Sequence, residues 1–391
     1  MNCIMFFYGV FFALPLSILN VLPYGMKIDD VILFIALIVF PILSFKKGYH
    51  VTIPLSCLLF IIITVLFASL SFLKGINSTN VFLGDSAGTV IGRIIQSLLI
   101  LILITFLKNT PHYLLSFFKG YVIAATLSLI IFFGYYVTHI NISSFTMRGV
   151  YFAKDIFQYN DDLPFTVHVN TLGSFFLIAF FLLKYNFPKY QLLSYLFLLP
   201  SLLLISKGDM LAILTYFAYV FYKRNNLNAF LSLIGLLILV LLMPYLYNVY
   251  LSLSDYRVYA SGRDELYGAS LSSIIDNPFG YGLGMQNNIL YSITGIDFPA
   301  HNILLSIGIE LGLLYLFLLV AYIIGWLLLG KVDYKIIFIS FLVIGMFGNA
   351  MYFYKFHSLA IALCFLSVWH INFNHKTKQV DLINNENTLH S

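Results

Sequence analysis

Residues 51–73, VTIPLSCLLFIIITVLFASLSFL, form an apolar stretch that carries no charged side chain. A helix needs about 20 predominantly apolar residues to cross the hydrocarbon core of a membrane, and this stretch is long enough. The whole chain has the same character, because 61% of its 391 residues are hydrophobic and only 9% are charged. A soluble domain of this length would need more charge to cover its surface. The sequence therefore predicts an all-α fold, a polytopic transmembrane helical bundle.

The hydropathy pattern predicts about twelve spans. They lie near 3–22, 28–45, 51–73, 90–107, 120–138, 166–183, 190–205, 209–222, 229–250, 302–329, 336–354 and 357–372. The first segment has no basic region before it and no cleavage site after it, so we interpret it as a span and not as a signal peptide. Residues 1–372 are then one transmembrane domain, and 373–391 form a short cytoplasmic tail.

The basic residues indicate the orientation of the chain. Cytoplasmic connections are enriched in Lys and Arg. With the N-terminus inside, the cytoplasmic connections hold twelve of the 21 basic residues and three acidic ones. Both termini then face the cytoplasm for an even number of spans. The net charge of +5 follows from this topology, so we do not expect a nucleic-acid partner.

Two long loops, 139–165 and 251–300, face outward in this topology. Both are rich in Tyr and Phe, which argues against disorder. In the second loop, Ser261 and Asp264 form a capping box. Apolar residues then recur at helical spacing, which predicts a short amphipathic helix at the membrane surface that ends at Asn277-Pro278. Its apolar positions are Leu266, Tyr267, Leu271, Ile274 and Ile275, and the tight turns predicted after it use Gly280, Gly282 and Gly284.

Basic residues of the outward side are candidate phosphate ligands. Arg148, Arg257 and Arg263 belong to the long loops, and guanidinium groups can bind phosphate or pyrophosphate in a bidentate manner. Arg93 lies inside a span, and Lys207 lies in a short outward turn. For these two, membrane anchoring by a side chain that reaches the headgroups is an equally good interpretation.

The stretch FPAHNILLSIGIELGLLYLF, residues 298–317, places two ionisable side chains in an apolar segment. If 302–329 is one continuous helix that starts near Pro299, His301 lies in its first turn. Glu310 then lies about 13 Å deeper and roughly half a turn out of phase, near the bilayer middle. There Glu310 should be neutral or paired, for example with Arg93. His301 is either hydrogen-bonded to a loop carbonyl or a general base.

Two blocks of this sequence resemble one known superfamily. SGRDELYGASLSSIIDNPFGYGLG (261–284) resembles the S-G-R…P-x-x-G-x-G block of the bacterial O-antigen polymerase and O-antigen ligase superfamily. AHNILLSIGIELGLLYLF (300–317) is similar to its H-N-x-x-L…E-x-G-x-x-G block, with Tyr315 in place of the final glycine. Upstream, Arg148 with Asn170 and the turn SKGDMLA (206–212) are weaker matches, and Lys207 replaces the usual arginine of that turn.

The resemblance implies glycosyl transfer at the periplasmic face of the bacterial inner membrane, without a metal or other cofactor. The donor would be a glycan linked to undecaprenyl pyrophosphate. His301 and Arg263 would be catalytic, with His301 deprotonating the acceptor hydroxyl. Glu310 and the three glycines of 280–284 would shape the site. Substrate or pyrophosphate binding would involve Arg148, Arg257, Asn302, Lys207 and Arg93.

Three functions remain open at this point. A polymerase would join lipid-linked repeat units, and the acidic and aromatic loops favour it. A ligase would transfer the glycan to lipid A-core. A flippase or transporter is less favoured, because the ionisable residues gather on the outer side and no internal repeat is visible. Expected partners are undecaprenyl-pyrophosphate-linked glycans and inner-membrane lipids, and a polysaccharide chain-length regulator is a candidate partner.

Overall fold

A computed structural model of the protein describes residues 1–14, 28–46, 53, 55–77, 86–107, 110–139, 157, 165, 169–204, 207–223, 263–329 and 332–347. These parts of the chain are helical and include no β-strand, which confirms the predicted all-α class. The α-helices are α1 (Asn2–Ala13), α2 (Ile28–Lys46), α3 (Leu55–Ile76), α4 (Ala87–Leu107), α5 (Pro111–His139), α6 (Val169–Asn186), α7 (Leu199–Leu203), α8 (Lys207–Lys223), α9 (Arg263–Asp276), α10 (Gln286–Thr294), α11 (Ile303–Leu311), α12 (Leu313–Leu329) and α13 (Val332–Phe347).

Three of these helices are long and apolar enough to cross a membrane. They are Leu55–Ile76 with 22 residues, Ala87–Leu107 with 21, and His112–His139 with 28. The other apolar helices of the described residues are shorter. Membrane association is therefore supported by length and composition, whereas the count of about twelve spans stays a prediction. The predicted spans 229–250 and 357–372 lie outside the described residues.

The first predicted span is wrong as a single helix. α1 ends at Ala13, and Leu14 has the extended conformation with φ −75° and ψ 106°. Pro15 follows Leu14, and a residue before proline is disfavoured in the helical region because the proline ring collides with its backbone. The apolar run from residue 3 to 22 is thus interrupted by local sterics that a hydropathy window does not register.

The segment 190–205 also differs from the predicted span. A 3₁₀ turn over Pro188–Tyr190 precedes it, a second one covers Leu193–Leu198, and the short helix α7 follows. Pro200 lies in the first turn of α7, where its missing N–H costs nothing. Taken together, Leu193–Leu203 form one apolar helical stretch that is shorter than the helices able to cross a membrane.

The predicted span 302–329 is divided into α11 and α12. Gly312 separates them with φ 90° and ψ 166°. This conformation is essentially restricted to glycine. The amide of Leu313 donates to the carbonyl of Pro278 at 2.7 Å instead of continuing the helix. His301 is also not in the first helical turn, because it precedes the N-cap residue Asn302.

Glycines allow the closest helix packing of the bundle. α1 crosses α5 where Gly9 faces the carbonyl of Phe117 and Gly120 faces that of Phe6, with no room for a methyl group on either glycine. Aromatic side chains fill the surrounding core, and the hydroxyl of Tyr121 donates to the carbonyl of Phe175 in α6 at 3.0 Å. Small residues at such crossings let two backbones approach closely in an apolar environment.

Candidate active site at the broken helix

The glycine block 280–284 closes the gap between α11 and α12. The amide of Tyr281 donates to the carbonyl of Ile309 at 2.8 Å, and the amide of Gly282 donates to that of Glu310 at 3.2 Å. These carbonyls belong to the last turn of α11, where a helix leaves acceptors without internal partners. The block therefore replaces the hydrogen bonds that the break removes, as irregular backbone buried in an apolar bundle requires.

Glycine is needed in this block for conformation and for space. Gly280, Gly282 and Gly284 have φ values of 74°, 112° and 78°, which confirms the predicted turns. A methyl group on Gly280 would lie 2.5 Å from the carbonyl oxygen of Glu310, and one on Gly282 would lie 2.6 Å from the amide nitrogen of Gly75. Both neighbours are backbone atoms of packed helices, so they cannot move aside cheaply.

The end of α3 holds the glycine block from the other side. The amide of Leu283 donates to the carbonyl of Ser71 at 3.1 Å. The ammonium group of Lys74 donates to the carbonyls of Phe279 at 3.0 Å and Gly280 at 3.1 Å. Sequence reasoning did not select Lys74, because a lysine at the end of a span is usually read as a headgroup anchor.

Glu310 has a structural position in this arrangement. Its side chain is buried, and Oε1 accepts from the amide of Gln286 at 3.4 Å. Gln286 begins α10, where backbone N–H groups need acceptors. Oε1 of Glu310 thus satisfies an amide at the start of α10. The structural or tuning role predicted for Glu310 and its pairing with Arg93 stay predictions.

The contacts of Glu310 with α3 do not support the expected position of Glu310 near the middle of the bilayer. The hydroxyl of Ser71 donates to the Glu310 carbonyl at 2.7 Å. Ser71 lies less than two helical turns before Ile76, the last residue of α3. Tyr315, whose hydroxyl lies 3.0 Å from that of Thr64, is the residue beside the middle of α3. Glu310 therefore lies near the outward end of the bundle predicted from the charge pattern.

His301 has an unusual backbone conformation. Its φ is 51°, and among the described residues it is the one non-glycine with a positive φ. Holding such a residue in the left-handed region costs on the order of 1–3 kcal/mol, and strain of this kind concentrates at functional sites. The half-buried side chain lies beside Phe298, with the ring centroids 6.0 Å apart. Both predicted roles of His301, a hydrogen bond to a loop carbonyl and a general base, stay predictions.

Asn302 has a role that the sequence did not indicate. Its Oδ1 accepts from the amides of Leu304 at 3.0 Å and Leu305 at 3.3 Å, so it is the N-cap of α11. Asparagine is among the preferred N-cap residues because its side chain satisfies amides that have no intrahelical partner. The carbonyl oxygen of this side chain is thus engaged by the protein, whereas the sequence predicted a substrate ligand.

The helix that carries Arg263 packs on the helix that follows His301. α9 starts at Arg263 and ends at Asp276, directly before Asn277-Pro278 as predicted. A methyl group on Gly308 of α11 would lie 2.5 Å from Cδ1 of Ile274 in α9. Within α9, Ile274 is buried on this side while Ile275 is exposed, and the predicted position of the helix at the membrane surface stays a prediction. Arg148, Arg257 and Ser261 lie outside the described residues.

Lys207 and His301 belong to segments that meet the same turn of α13. A methyl group on Gly208, next to Lys207, would lie 3.6 Å from Cα of Ile344. A methyl group on Gly345 would lie 3.1 Å from Cγ2 of Ile303, two residues after His301. The starts of α8 and α11 are therefore neighbours across the end of α13. This placement brings the SKGD turn and the His-Asn block to one end of the bundle.

Asp209 is a buried charged residue that the sequence interpretation missed. It is fully buried, and its Oδ1 accepts from the hydroxyl of Ser174 at 3.2 Å. Gly173 lacks a side chain at the point where the Asp209 carboxylate approaches α6. The only sequence signal was the aspartate of SKGD, which lies in the first turn of α8, where a negative charge favours a helix. This contact joins the helix that starts at Lys207 to the helix that contains Asn170.

Arg93 lies on the same end of the bundle. A methyl group on Gly75, at the end of α3, would lie 3.2 Å from Cβ of Ala87, the first residue of α4. Arg93 follows six residues later, about 9 Å along the helix, and is half-buried. The two interpretations of Arg93, headgroup anchor and phosphate ligand, both fit this position.

Comparisons with known proteins identify no relative. No protein-family model, no curated protein and no solved structure matches the chain significantly. Any function must therefore be argued from the residues of this chain and from the contacts among them.

Proposed function

We propose that the protein is an O-antigen polymerase, a metal-independent glycosyltransferase that joins undecaprenyl-pyrophosphate-linked repeat units. The reaction would take place at the periplasmic face of the bacterial inner membrane. One observation carries the proposal: the two blocks that resemble the superfamily are bound directly to each other. Tyr281 and Gly282 of the first block donate to Ile309 and Glu310 of the second, and Leu313 donates back to Pro278. This contact supports treating the two blocks as parts of one site.

In this proposal His301 acts as the general base. Its imidazole takes the proton from the acceptor hydroxyl, whose oxygen attacks the anomeric carbon of the donor sugar. The bond from that carbon to the pyrophosphate oxygen breaks, and undecaprenyl pyrophosphate leaves with the bonding electron pair. The growing negative charge requires cations. We assign this role to Arg263 together with Arg148 and Arg257, and assign weaker contributions to Lys207 and Arg93.

The proposed chemistry requires the donor to be reached from one side of the membrane. The starts of α8 and α11 are neighbours across the end of α13 through Gly208 and Gly345, and the end of α3 meets the last turn of α11 through Ser71. Charge patterning predicts that these helix ends face outward. A lipid-linked pyrophosphate lies at the headgroup level, which is also the expected level of helix ends.

A transporter is the second candidate, because the interruption of α11 and α12 resembles the discontinuous helices of transporter sites. In transporters, however, the freed backbone groups bind the substrate or ions. Here the carbonyls of Ile309 and Glu310 accept from Tyr281, Gly282 and Ser71. The break is therefore used for internal packing, which favours an enzyme whose site lies beside it.

Reconstitution tests the proposal. Purified protein in liposomes receives undecaprenyl-pyrophosphate-linked repeat units as the sole substrate, and products are separated by chain length. A polymerase yields chains of two or more units and one undecaprenyl pyrophosphate for each bond formed. A ligase extends nothing until lipid A-core is added. Movement of the substrate across the bilayer without bond formation would contradict both transferase functions.

A further inference from the structure

An exposed apolar face runs along the length of α3. Its members follow one another at three- and four-residue intervals, the spacing of a single helix face. The large exposed side chains of this face are Leu59, Ile62, Leu66, Leu70 and Leu73. α3 is one of the helices that can cross a membrane, so this face is the surface expected to contact lipid acyl chains.

Lys74 connects the end of this face to the segment after α9. It follows Leu73 directly, and its ammonium group donates to the carbonyls of Phe279 and Gly280. These hydrogen bonds bring Phe279 to the outward end of α3. The Phe279 ring is 77% exposed although it lies beside a well-packed glycine block.

Two residues of α9 extend the exposed surface from Phe279. Leu271 and Ile275 are one helical turn apart, and their side chains are 54% and 74% exposed. Phe279 follows four residues after Ile275. The opposite side of α9 packs into the protein, because Leu266 and Ala269 are buried in a cluster with Ile309 of α11. These three exposed residues therefore face away from the protein.

We propose that Leu271, Ile275 and Phe279 form a membrane-contact strip that lies in the acyl-chain region of the outward leaflet. Single exposed apolar residues are normal on any protein surface. These three, however, continue the lipid-facing side of a spanning helix. The Lys74 ammonium lies where the two surfaces meet, as expected for a lysine whose aliphatic stem lies in the apolar region and whose charge stays near the headgroups. α9 is then a half-immersed cap over the bundle, not part of an aqueous loop.

Site-directed fluorescence tests the strip without requiring enzymatic activity. The two native tryptophans, Trp326 and Trp369, are replaced by phenylalanine, and one new tryptophan is introduced as Phe279→Trp or Ile275→Trp. The protein is placed in liposomes whose phosphatidylcholine carries bromine on the acyl chains. Leu66→Trp on the α3 face is the lipid-exposed control, and Glu265→Trp at an exposed position near the start of α9 is the aqueous control. Iodide in the buffer reports access from water.

If the strip contacts acyl chains, the brominated lipid should quench the fluorescence of Phe279→Trp and Ile275→Trp. The extent of this quenching should be closer to that of the Leu66→Trp control than to that of the Glu265→Trp control. Iodide should quench both strip positions less than it quenches the aqueous control. The reverse ranking would place the strip in water and overturn the inference. Protection from both quenchers would mean that protein, such as a second copy of the chain, covers the strip, and this would also overturn it. Neither outcome depends on whether the protein is a polymerase.

Discussion

His301 occupies the left-handed region directly before Asn302, and the side chain of Asn302 caps α11 through two amides. The cap fixes where the helix starts, and the positive φ of the preceding residue turns the chain sharply at that start. The imidazole is thus presented at a helix terminus by a backbone that only a few residue types tolerate. Because the backbone conformation of His301 is tolerated by a few other residue types, a substitution can remove the imidazole and leave that conformation unchanged.

Replacing His301 should abolish transfer even when its backbone conformation is preserved. Asparagine and glycine both tolerate a positive φ, so His301→Asn and His301→Gly remove the imidazole without adding strain. Loss of a general base lowers rates by about 10²–10⁴-fold. Initial rates of chain extension should fall by that factor, with unchanged accumulation in the membrane. Near-normal rates in either variant would show that His301 is not the base.

Asn302 should tolerate residues that cap a helix. Asn302→Ala removes the cap and should lower the free energy of unfolding by about 1 kcal/mol, whereas Asn302→Ser and Asn302→Asp should preserve it. Thermal melting in detergent measures this difference. Activity separates capping from substrate binding, because an aspartate beside a pyrophosphate would repel it. Full activity of Asn302→Asp would show that Asn302 acts only as a helix cap. Loss of activity in a stable Asn302→Asp protein would support the predicted contact between Asn302 and the substrate.

Gly282→Ala should destabilise the protein strongly. The added methyl group meets the backbone of Gly75 at 2.6 Å, and φ of 112° is unfavourable for alanine. We expect a loss of at least about 2 kcal/mol in the free energy of unfolding. Gly268→Ala is the matched control, because it lies inside α9 with no atom within 4 Å of the added methyl group. That variant should gain up to about 1 kcal/mol. Equal melting temperatures of the two variants would refute the packing described for the glycine block.

Glu310 should require an acceptor oxygen and not a negative charge. Glu310→Gln retains an oxygen that can accept from the amide of Gln286, whereas Glu310→Ala leaves that buried amide without it. An unsatisfied buried donor costs about 1–3 kcal/mol. Melting temperatures should therefore rank the wild type and Glu310→Gln together, well above Glu310→Ala. If Glu310→Gln is stable but inactive, the carboxylate takes part in the chemistry and the structural assignment is wrong.

Much of the helical organisation could be predicted from sequence, because length and hydropathy are enough to detect helices such as α3 and α4. The interruptions could not be predicted in this way. Apolar windows hide Leu14 and Gly312, where the helical conformation ends while the hydropathy stays high. For α9 the sequence predicted the helix and its end, but not which of its apolar residues pack into the protein and which stay exposed.

The candidate site was predicted in part. The glycines of 280–284 were recognised as turn residues, and their positive φ values agree. Their contacts with Ser71, Gly75 and Lys74 could not be foreseen, because these partners belong to α3 and lie far away along the chain. Asp209 was missed for a related reason, since its burial depends on α6 packing against α8 at Gly173.

The most direct test of the central claim is the lipopolysaccharide profile of a bacterial strain from which the gene for this protein has been deleted. In place of the normal ladder of lipopolysaccharide bands with increasing numbers of repeat units, gels should show lipid A-core bearing one repeat unit. Expression of the wild-type protein should restore the ladder, and expression of His301→Asn should not. Bare core with accumulated lipid-linked polymer would identify a ligase instead. A normal ladder in the deletion strain would contradict the proposed function.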